Sequence, residues 1–257
     1  MHLLNAGLNQ EGSAENLVHL SIIIPVLNEE EGIRACLHHL CLLSEQYPQY
    51  LFETIVVDGG SHDDTVATAT LMADVVVTSD KGRAKQMNVG AQQAAGRYLL
   101  FLHSDTQFPL SETASSVDSA SQHLLPFLDN QGSEKVFWGF YPVRLSGRQR
   151  LLRVVETMMN VRSRLTSIAT GDQCIFVKSD VFNALGGFNT IPLMEDVEFS
   201  KRLRQRHPPF IPCVKVTTDS RRWEKYGVIK TILLMWYLRA LYFFGVNPTT
   251  LARYYYR

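Results

Sequence analysis

An apolar run that stops at a proline and continues into acidic residues lies near the amino terminus and reads SIIIPVLNEE, residues 21–30. Its uninterrupted apolar residues are typical of a strand that is buried on both faces, and we predict that strand over His19–Val26. The acidic residues suit the positive end of a helix, which the apolar spacing predicts over Glu29–Ser44. A buried strand that passes directly into a helix begins a β–α–β unit.

Short apolar runs continue to alternate with helical patterns after this unit. The alternation predicts an α/β fold with a mostly parallel, doubly wound sheet, in which ligands lie beyond the carboxyl ends of the strands. The further predicted strands are Thr54–Asp58, Asp74–Thr78 and Tyr98–His103, and the predicted helices between them are Asp63–Met72 and Gly82–Ala95.

The second half of the chain is less regular. We predict strands at Val136–Val143 and Gln173–Lys178 and an amphipathic helix at Arg148–Leu165. One side of that helix is assigned to the core, and its residues are Leu151, Val154, Val155, Met158 and Leu165.

The length and charge of the chain limit its organisation and partners. A chain of 257 residues suits one large core, and we expect a single domain over residues 18–225, a flexible tail at residues 1–17 and a helical appendage at residues 226–257. Lysine plus arginine and aspartate plus glutamate each number 25, so no net field attracts a polyanion. A nucleic-acid partner is therefore disfavoured.

Cysteine usage and hydropathy bear on the compartment. The four cysteines form no CxxC pair, which predicts reduced core thiols and a cytoplasmic protein. The most apolar stretch, Val228–Val246, contains Lys230 and Arg239, so its uncharged part is far shorter than the roughly 20 residues of a membrane-spanning helix. Two alternatives remain open for it: a helix packed on the domain, or a peripheral contact with a membrane.

Acidic side chains lie at the predicted ends of two strands. Asp58 precedes two glycines, so its carboxylate either accepts hydrogen bonds from a ligand or fixes the glycine turn. Asp105 closes the run FLHSD, residues 101–105, and a carboxylate there is suited to hold a divalent cation that grips phosphate oxygens. His103 is either a second metal ligand or a structural histidine.

Two charged clusters lie in the second half. Glu195 and Asp196 begin a predicted helix, on which Asp196 shares a face with apolar residues one and two turns later. A partly buried aspartate in this position suits a general base, although an acidic start that balances the helix dipole explains it as well. The run DSRRW, residues 219–223, offers guanidinium groups whose planar fork matches a diphosphate.

Taken in order from Leu20 to Trp223, these segments resemble glycosyltransferase family 2, the inverting enzymes with the GT-A type nucleotide-diphospho-sugar transferase fold. The run GRAKQMNVG, residues 82–90, is similar to the family's helix with the pattern G-x-x-x-A-x-N-x-G. The resemblance implies a set of nucleotide-binding residues: Pro25, Leu27, Glu29, Asp58, Arg83 and Asp105.

The family's D-x-D metal motif corresponds to His103-Ser104-Asp105, with a histidine in place of the first aspartate. The resemblance implies a Mn²⁺ or Mg²⁺ ion on Asp105. The departure at His103 implies either a second metal ligand that tunes the choice of metal or a weaker metal site.

The clusters of the second half also have counterparts in the family. Glu195-Asp196 resembles its E-D motif, whose aspartate acts as the base, and residues 220–223 resemble a shortened Q-x-x-R-W motif. The resemblance therefore implies catalytic roles for Asp196, Glu195 and Arg222, with Arg222 on the diphosphate and Trp223 near the acceptor.

Three short runs, HSDT, TGDQ and RRWEKYG, resemble a bacterial subgroup of single-domain members often called radical-SAM/selenodomain-associated transferases. For that subgroup the resemblance implies no settled donor or acceptor. Asp172 and Gln173, within the second run, either line the sugar pocket or form the turn that enters a strand.

The implied reaction moves a sugar from a nucleotide-diphospho-sugar to an acceptor hydroxyl. The apolar character of the segments 148–165 and 228–246 favours a lipid-like acceptor at the inner face of a membrane. A nucleotidyltransferase is an alternative, but it needs a glycine-rich basic loop that Pro25–Glu31 lacks. A sugar-nucleotide-binding protein without turnover is another, which His103 favours and the intact Glu195-Asp196 pair disfavours.

Overall fold

The structure is a computed structural model that describes residues 18–110, 124–128 and 136–255. Within them, the strands are β1 Leu20–Val26, β2 Phe52–Asp58, β3 Val75–Thr78, β4 Tyr98–Phe101, β5 Thr106–Gln107, β6 Trp138–Gly139, β7 Val143–Leu145, β8 Phe176–Lys178 and β9 Val216–Thr218. The helices are α1 Glu30–Gln46, α2 Thr65–Thr70, α3 Arg83–Gln93, α4 Arg150–Thr166, α5 Ser179–Ala184, α6 Glu195–Arg204, α7 Arg221–Tyr226, α8 Val228–Phe243 and α9 Pro248–Tyr255. The predicted elements of the first half are confirmed within a few residues of their bounds.

A six-stranded sheet with the order β3-β2-β1-β4-β8-β6 forms the centre of the molecule. The first four strands in this order run parallel, and β8 and β6 join in antiparallel fashion. Alternate residues of β1 enter two apolar cores, one shared with α1 and the other with α3, α5 and α6. The predicted α/β fold with a mostly parallel, doubly wound sheet is therefore confirmed.

The predicted strand over Val136–Val143 is wrong, because the chain divides there into β6 and β7. Pro142 lies between the two and has no N–H to donate to a ladder. Gly139 packs so closely on the backbone that an added Cβ would lie 2.0 Å from the Phe210 carbonyl oxygen. The strand β7 instead joins a second, three-stranded sheet of order β5-β9-β7.

The predicted strand over Gln173–Lys178 begins later than expected. Residues 171–173 form a turn of 3₁₀ helix, and Cys174 follows it with a φ of +44°. Because this left-handed conformation interrupts an extended chain, β8 begins only at Phe176.

The predicted core face of α4 is wrong except for Val155. Leu151, Val154 and Met158 are exposed, and Leu165 is 81% exposed. Two polar side chains of α4 face β7 instead. The Glu156 carboxylate accepts the Leu145 N–H at 3.0 Å, and the Asn160 amide forms hydrogen bonds with the N–H and the carbonyl oxygen of Val143, each at 2.8 Å. Because the side of α4 that carries Glu156 and Asn160 provides hydrogen bonds to the backbone of β7, the apolar residues on the other side of the helix lie on the surface.

The carboxyl-terminal helices α8 and α9 pack on α6 through Met194, Val197, Leu238 and Leu251. Among the described residues, no helix combines the length and apolar character needed to cross a membrane. The four cysteines are all free, but only Cys36 and Cys174 are buried, so the core prediction is wrong for Cys41 and Cys213. The predicted tail lies outside the described residues, and the domain boundary at residue 225 stays a prediction.

Candidate active site

The carboxyl ends of β1 and β2 are joined by a buried glutamine of α3. Gln86 donates its amide protons to the carbonyl oxygens of Val26 and Val57, each at 2.8 Å. The sequence predicted no role for Gln86, which lies among other polar residues in the run 82–90. Pro25 and Leu27, two predicted nucleotide contacts, lie half-buried at the end of β1 and just beyond it.

Asp58 ends β2 with its carboxylate directed into the turn that follows. The carboxylate accepts the N–H of Gly60 at 2.9 Å and both the N–H and the hydroxyl of Ser61. Gly60 has a φ of +94°, a conformation that glycine adopts at little cost. Asp58 therefore fixes the glycine turn, and its contact with a nucleotide stays a prediction.

A half-open cluster of charges lies beyond β1 and β4. The Arg221 guanidinium lies 3.7 Å from the Glu29 carboxylate, 3.8 Å from the Asp105 carboxylate and 2.7 Å from the Asp219 carboxylate. Burial raises the pKa of Glu29, and Arg221 opposes that rise. Sequence reasoning chose Arg222 for this position; the structure describes only its backbone, in α7, and brings Arg221 to the predicted donor residues.

The two predicted metal ligands face different partners. His103 Nδ1 lies 3.5 Å from an Asp172 carboxylate oxygen, whereas Asp105 faces Arg221. Among the described residues, no group of three or more histidine, cysteine or acidic side chains could hold a metal ion. A Mg²⁺ ion commonly uses only one or two carboxylates and completes its shell with water and substrate phosphates. Asp105 fits that pattern, and His103 is engaged by Asp172.

Asp196 is held in place at the start of α6. One carboxylate oxygen accepts the N–H of Gly171 and the other accepts the N–H of Val197, each at 2.7 Å. A carboxylate oxygen has two lone pairs, so each can still accept a proton or a further hydrogen bond. The α6 helix begins after Met194, whose φ is +69°.

The neighbouring Glu195 is buried. Arg83 Nη1 lies 3.7 Å from Glu195 Oε1. Burial and, after it, the charge of Asp196 raise the pKa of Glu195, and Arg83 opposes them. Arg83, predicted at the nucleotide, is therefore brought beside the predicted catalytic pair.

A cavity of about 310 Å³ opens beside Asp196, with walls from α4, α6 and α8. Trp223 and Asp172 line it, and their predicted place in an acceptor or sugar pocket stays a prediction. Gln173 does not, because it is fully buried and its side-chain oxygen accepts the Ser163 hydroxyl at 2.7 Å and the Thr170 N–H at 3.1 Å. Of the two readings of Gln173, the structure supports the turn.

Arg162 of α4 is a further charged residue of the cavity wall that the sequence did not single out. Its Nε is buried and has no hydrogen-bond partner within the described part of the chain. Burial lowers the pKa of Arg162, and the carboxylates of Asp196 and Asp172 oppose this. The cavity therefore combines apolar walls with a charged inner end.

The turn after β4 connects the two parts of the site. Asp105 faces the charged cluster, while the His103 ring contacts Gly171, which bonds Asp196. Parallel strands that end in carboxylates, followed by an irregular half that carries an acidic helix start, are the arrangement that the resemblance to the GT-A type fold implies.

Residues 21–124 match the family model described as Glycosyl transferase family 2. The chain therefore carries a segment of that family over less than half of its length. It is 35% identical over 96 residues to the glycosyltransferase AglE of Haloferax volcanii, a match that covers 35% of this chain and 31% of that protein. It is 27% identical to an uncharacterized glycosyltransferase of Haemophilus influenzae, covering 75% of this chain and 64% of the relative.

A solved structure has the same fold. The mannosyltransferase PcManGT of Pyrobaculum calidifontis, in complex with GDP-Man and Mn²⁺, aligns with a TM-score of 0.54 and 21% identity over 77% of this chain and 56% of that one. The chain thus spans less than two thirds of the length of these relatives.

Proposed function

We propose that the protein transfers a sugar from a nucleotide-diphospho-sugar to an acceptor hydroxyl with inversion at the anomeric carbon. One observation carries the proposal: the Asp196 carboxylate is fixed by two backbone N–H groups and lines a cavity. A general base must be oriented and must retain a lone pair that faces the incoming hydroxyl. Asp196 is oriented by its two hydrogen bonds, retains a lone pair on each oxygen and lines the cavity.

The charged cluster suits the donor. Pro25, Leu27, Glu29 and Asp58 lie at or just beyond the ends of β1 and β2, where base and ribose would bind. Arg221, beside Glu29 and Asp105, would meet the diphosphate. Asp105 would hold a Mn²⁺ or Mg²⁺ ion, which supplies positive charge against the leaving diphosphate when it is bound. The mannosyltransferase PcManGT, which has the same fold and was solved in complex with GDP-Man and Mn²⁺, supports this choice of ligands.

The transfer is a single displacement. Asp196 accepts the proton of the acceptor hydroxyl as its oxygen forms a bond to the anomeric carbon. The bond from that carbon to the diphosphate oxygen breaks, and its electron pair leaves with the nucleoside diphosphate. The guanidinium group of Arg221 stabilises the charge where it develops, an effect that usually supplies the largest share of rate enhancement.

The acceptor side of the proposal rests on the cavity walls. Val155, Met158, Ile232 and Met235 make these walls apolar, while Asp196 lies at the charged end. A small polar sugar would leave such walls unused. A lipid-like or terpenoid alcohol is the acceptor class that matches them.

The test is the melting temperature with a panel of nucleoside diphosphates and sugar nucleotides, with and without Mn²⁺, in the wild type and in Asp105→Ala. We expect a metal-dependent rise of about 3 kcal/mol in the free energy of unfolding at a hundred-fold excess over Kd, which Asp105→Ala abolishes. No rise with any nucleotide, in folded and metal-replete protein, would overturn the donor assignment. Binding without any release of nucleoside diphosphate would favour a sugar-nucleotide-binding protein.

A further inference from the structure

The helix α8 presents an apolar stripe to solvent although its opposite side is already packed. Its residues Ile229, Leu233, Trp236, Tyr237 and Phe243 recur at helical spacing and are exposed, Leu233 at 60%. Phe244, directly after the helix, is 80% exposed. Single exposed apolar residues are ordinary on protein surfaces, but a contiguous stripe of this size marks a site of interaction.

A second exposed stripe lies on α4 and meets the first at the cavity. It comprises Leu151, Val154, Met158, Val161 and Leu165, which recur at intervals of three and four residues. Met158 of this stripe and Trp236 of the α8 stripe are both exposed and both line the cavity beside Asp196. The cavity mouth therefore opens between two apolar stripes, and we call this surface the α4–α8 face.

The charge of the same segments is strongly basic. Residues 144–166 contain six arginines and one acidic residue, Glu156, which is buried. Residues 225–257 contain five basic residues and no acidic one. Because the whole chain has 25 residues of each sign, the remainder carries the compensating acidic excess. Arg148, Arg150 and Lys230 are exposed beside the stripes.

An apolar stripe flanked by basic residues and containing Trp and Tyr matches the surface of an anionic bilayer. Aromatic rings of this kind occupy the headgroup level, and lysine and arginine are attracted to anionic lipids. A second copy of the chain would face the first with the same positive charge. The charge therefore favours a lipid surface over self-association.

We propose that the α4–α8 face docks on an anionic lipid bilayer, so that the cavity receives the hydroxyl of an acceptor held in that bilayer. The inference rests on the proposed function for the identity of the acceptor, whereas the docking itself does not. Docking brings the apolar cavity mouth against the acyl region and leaves the charged donor cluster accessible to a nucleotide from water.

Co-sedimentation with vesicles tests the proposal. The vesicles contain either phosphatidylcholine alone or equal parts of phosphatidylcholine and phosphatidylglycerol. We expect the full-length protein to sediment with the anionic vesicles and much less with the neutral ones. Added salt should weaken the binding, because it screens the attraction of exposed charges.

Variants assign the binding to the α4–α8 face. Leu233→Ser with Phe244→Ser removes two exposed side chains that do not line the cavity, and we expect vesicle partitioning to fall on the order of ten-fold. Leu71→Ser with Met72→Ser is the matched control, since Leu71 is 82% exposed at the end of α2. This control should bind as the wild type does. Arg150→Glu with Lys230→Glu should abolish the preference for anionic vesicles.

The outcomes separate this inference from the proposed function. If the wild type stays in the supernatant with both vesicle types, the docking proposal is wrong, whatever the nucleotide result. Equilibrium sedimentation that finds a dimer, which Leu233→Ser with Phe244→Ser dissociates, would overturn it in favour of a second copy. Melting shifts with nucleoside diphosphate and Mn²⁺ on the same samples report the donor site alone and should not change in these variants.

Discussion

The edge of the sheet that we propose to bind the donor and the cavity that we propose to receive the acceptor are built in different ways. The edge comes from the ends of β1, β2 and β4 in continuous sequence, and residues 21–124 that contain it match the family model. The cavity is assembled from Arg83 to Tyr255, across α4, α6 and α8. The family model therefore covers the edge but not α4, α6 and α8, the helices that contribute to the cavity wall.

The largest effect that sharpens this contrast is expected for Asp196→Asn. An amide cannot take the proton of the acceptor, so kcat should fall by about 10²–10⁴. The melting shift with nucleoside diphosphate and Mn²⁺ should stay the same, because Asp196 belongs to the cavity. The measurement is release of nucleoside diphosphate in the presence of a detergent-solubilised lipid extract.

A matched control for this variant is Asp64→Asn. Asp64 is exposed at the residue before α2, and its side chain forms no capping hydrogen bond with that helix. It should turn over as the wild type does. Equal rates for Asp196→Asn and wild type would remove Asp196 from the role of base.

Gly171→Ala is expected to have the next largest effect. An added Cβ would lie 2.7 Å from His103 Cε1 and 2.8 Å from Nε2, so the turn that bonds Asp196 must shift. Displacement of a catalytic group by about 1 Å can cost on the order of 10²-fold in rate. We expect kcat to fall by about 10 to 100-fold, with the nucleotide-dependent melting shift retained. Loss of that shift together with activity would indicate a wider collapse instead.

Arg221→Ala tests the charged cluster beside that edge of the sheet, and its expected effect on metal affinity is smaller. Its guanidinium faces the Asp105 carboxylate at 3.8 Å and competes there with a divalent cation. Exposed ion pairs contribute up to about 1 kcal/mol, so Mn²⁺ affinity without nucleotide should rise by up to about five-fold. Calorimetric titration of Mn²⁺ measures it. Lys85→Ala, which breaks the exposed pair with Asp80, is the control and should leave the Mn²⁺ affinity unchanged.

The smallest effect concerns the pH dependence of stability. Burial and the charge of Asp196 raise the pKa of Glu195 in the folded state above its ordinary 4.5. As the pH rises above 4.5, the unfolded chain releases this proton first, so the wild type loses free energy of unfolding until the pH passes the raised pKa. Glu195→Gln lacks this loss. Its stability relative to wild type should therefore increase with pH in denaturant titrations.

Parallel pH curves for the two proteins would contradict a raised pKa at Glu195. Glu45→Gln, at an exposed position of α1, serves as the control for the removal of a carboxylate.

Much of the first half could be predicted because its signals are local. The apolar runs and the alternation of strand and helix periods gave β1 to β4 and the acidic residues at their ends. The Glu195-Asp196 pair and Trp223 were also found from sequence, and the structure brings all three to the cavity.

The predictions that were wrong share one cause, which is that each depends on contacts between residues far apart in the sequence. The α4 stripe was assigned to the core because apolar spacing cannot reveal that Glu156 and Asn160 are needed by the backbone of β7. Gln173 looked like a pocket residue because the partner of its amide, Ser163, lies on another element. Arg221 and Arg222 are adjacent and chemically alike, so sequence did not reveal that Arg221 reaches Glu29 and Asp105.

The parallel sheet and its carboxylate-bearing edge follow from the sequence alone, because periodicity and strand ends are properties of neighbouring residues. The class of chemistry was implied by the resemblance of these segments to glycosyltransferase family 2. The folded arrangement was needed to show which face of α4 meets solvent, which arginine lies beside Asp105 and which backbone groups fix Asp196. Those outcomes depend on hydrogen bonds and charges between residues far apart in the chain, such as Gly171 and Asp196, whose pairing only the folded backbone sets.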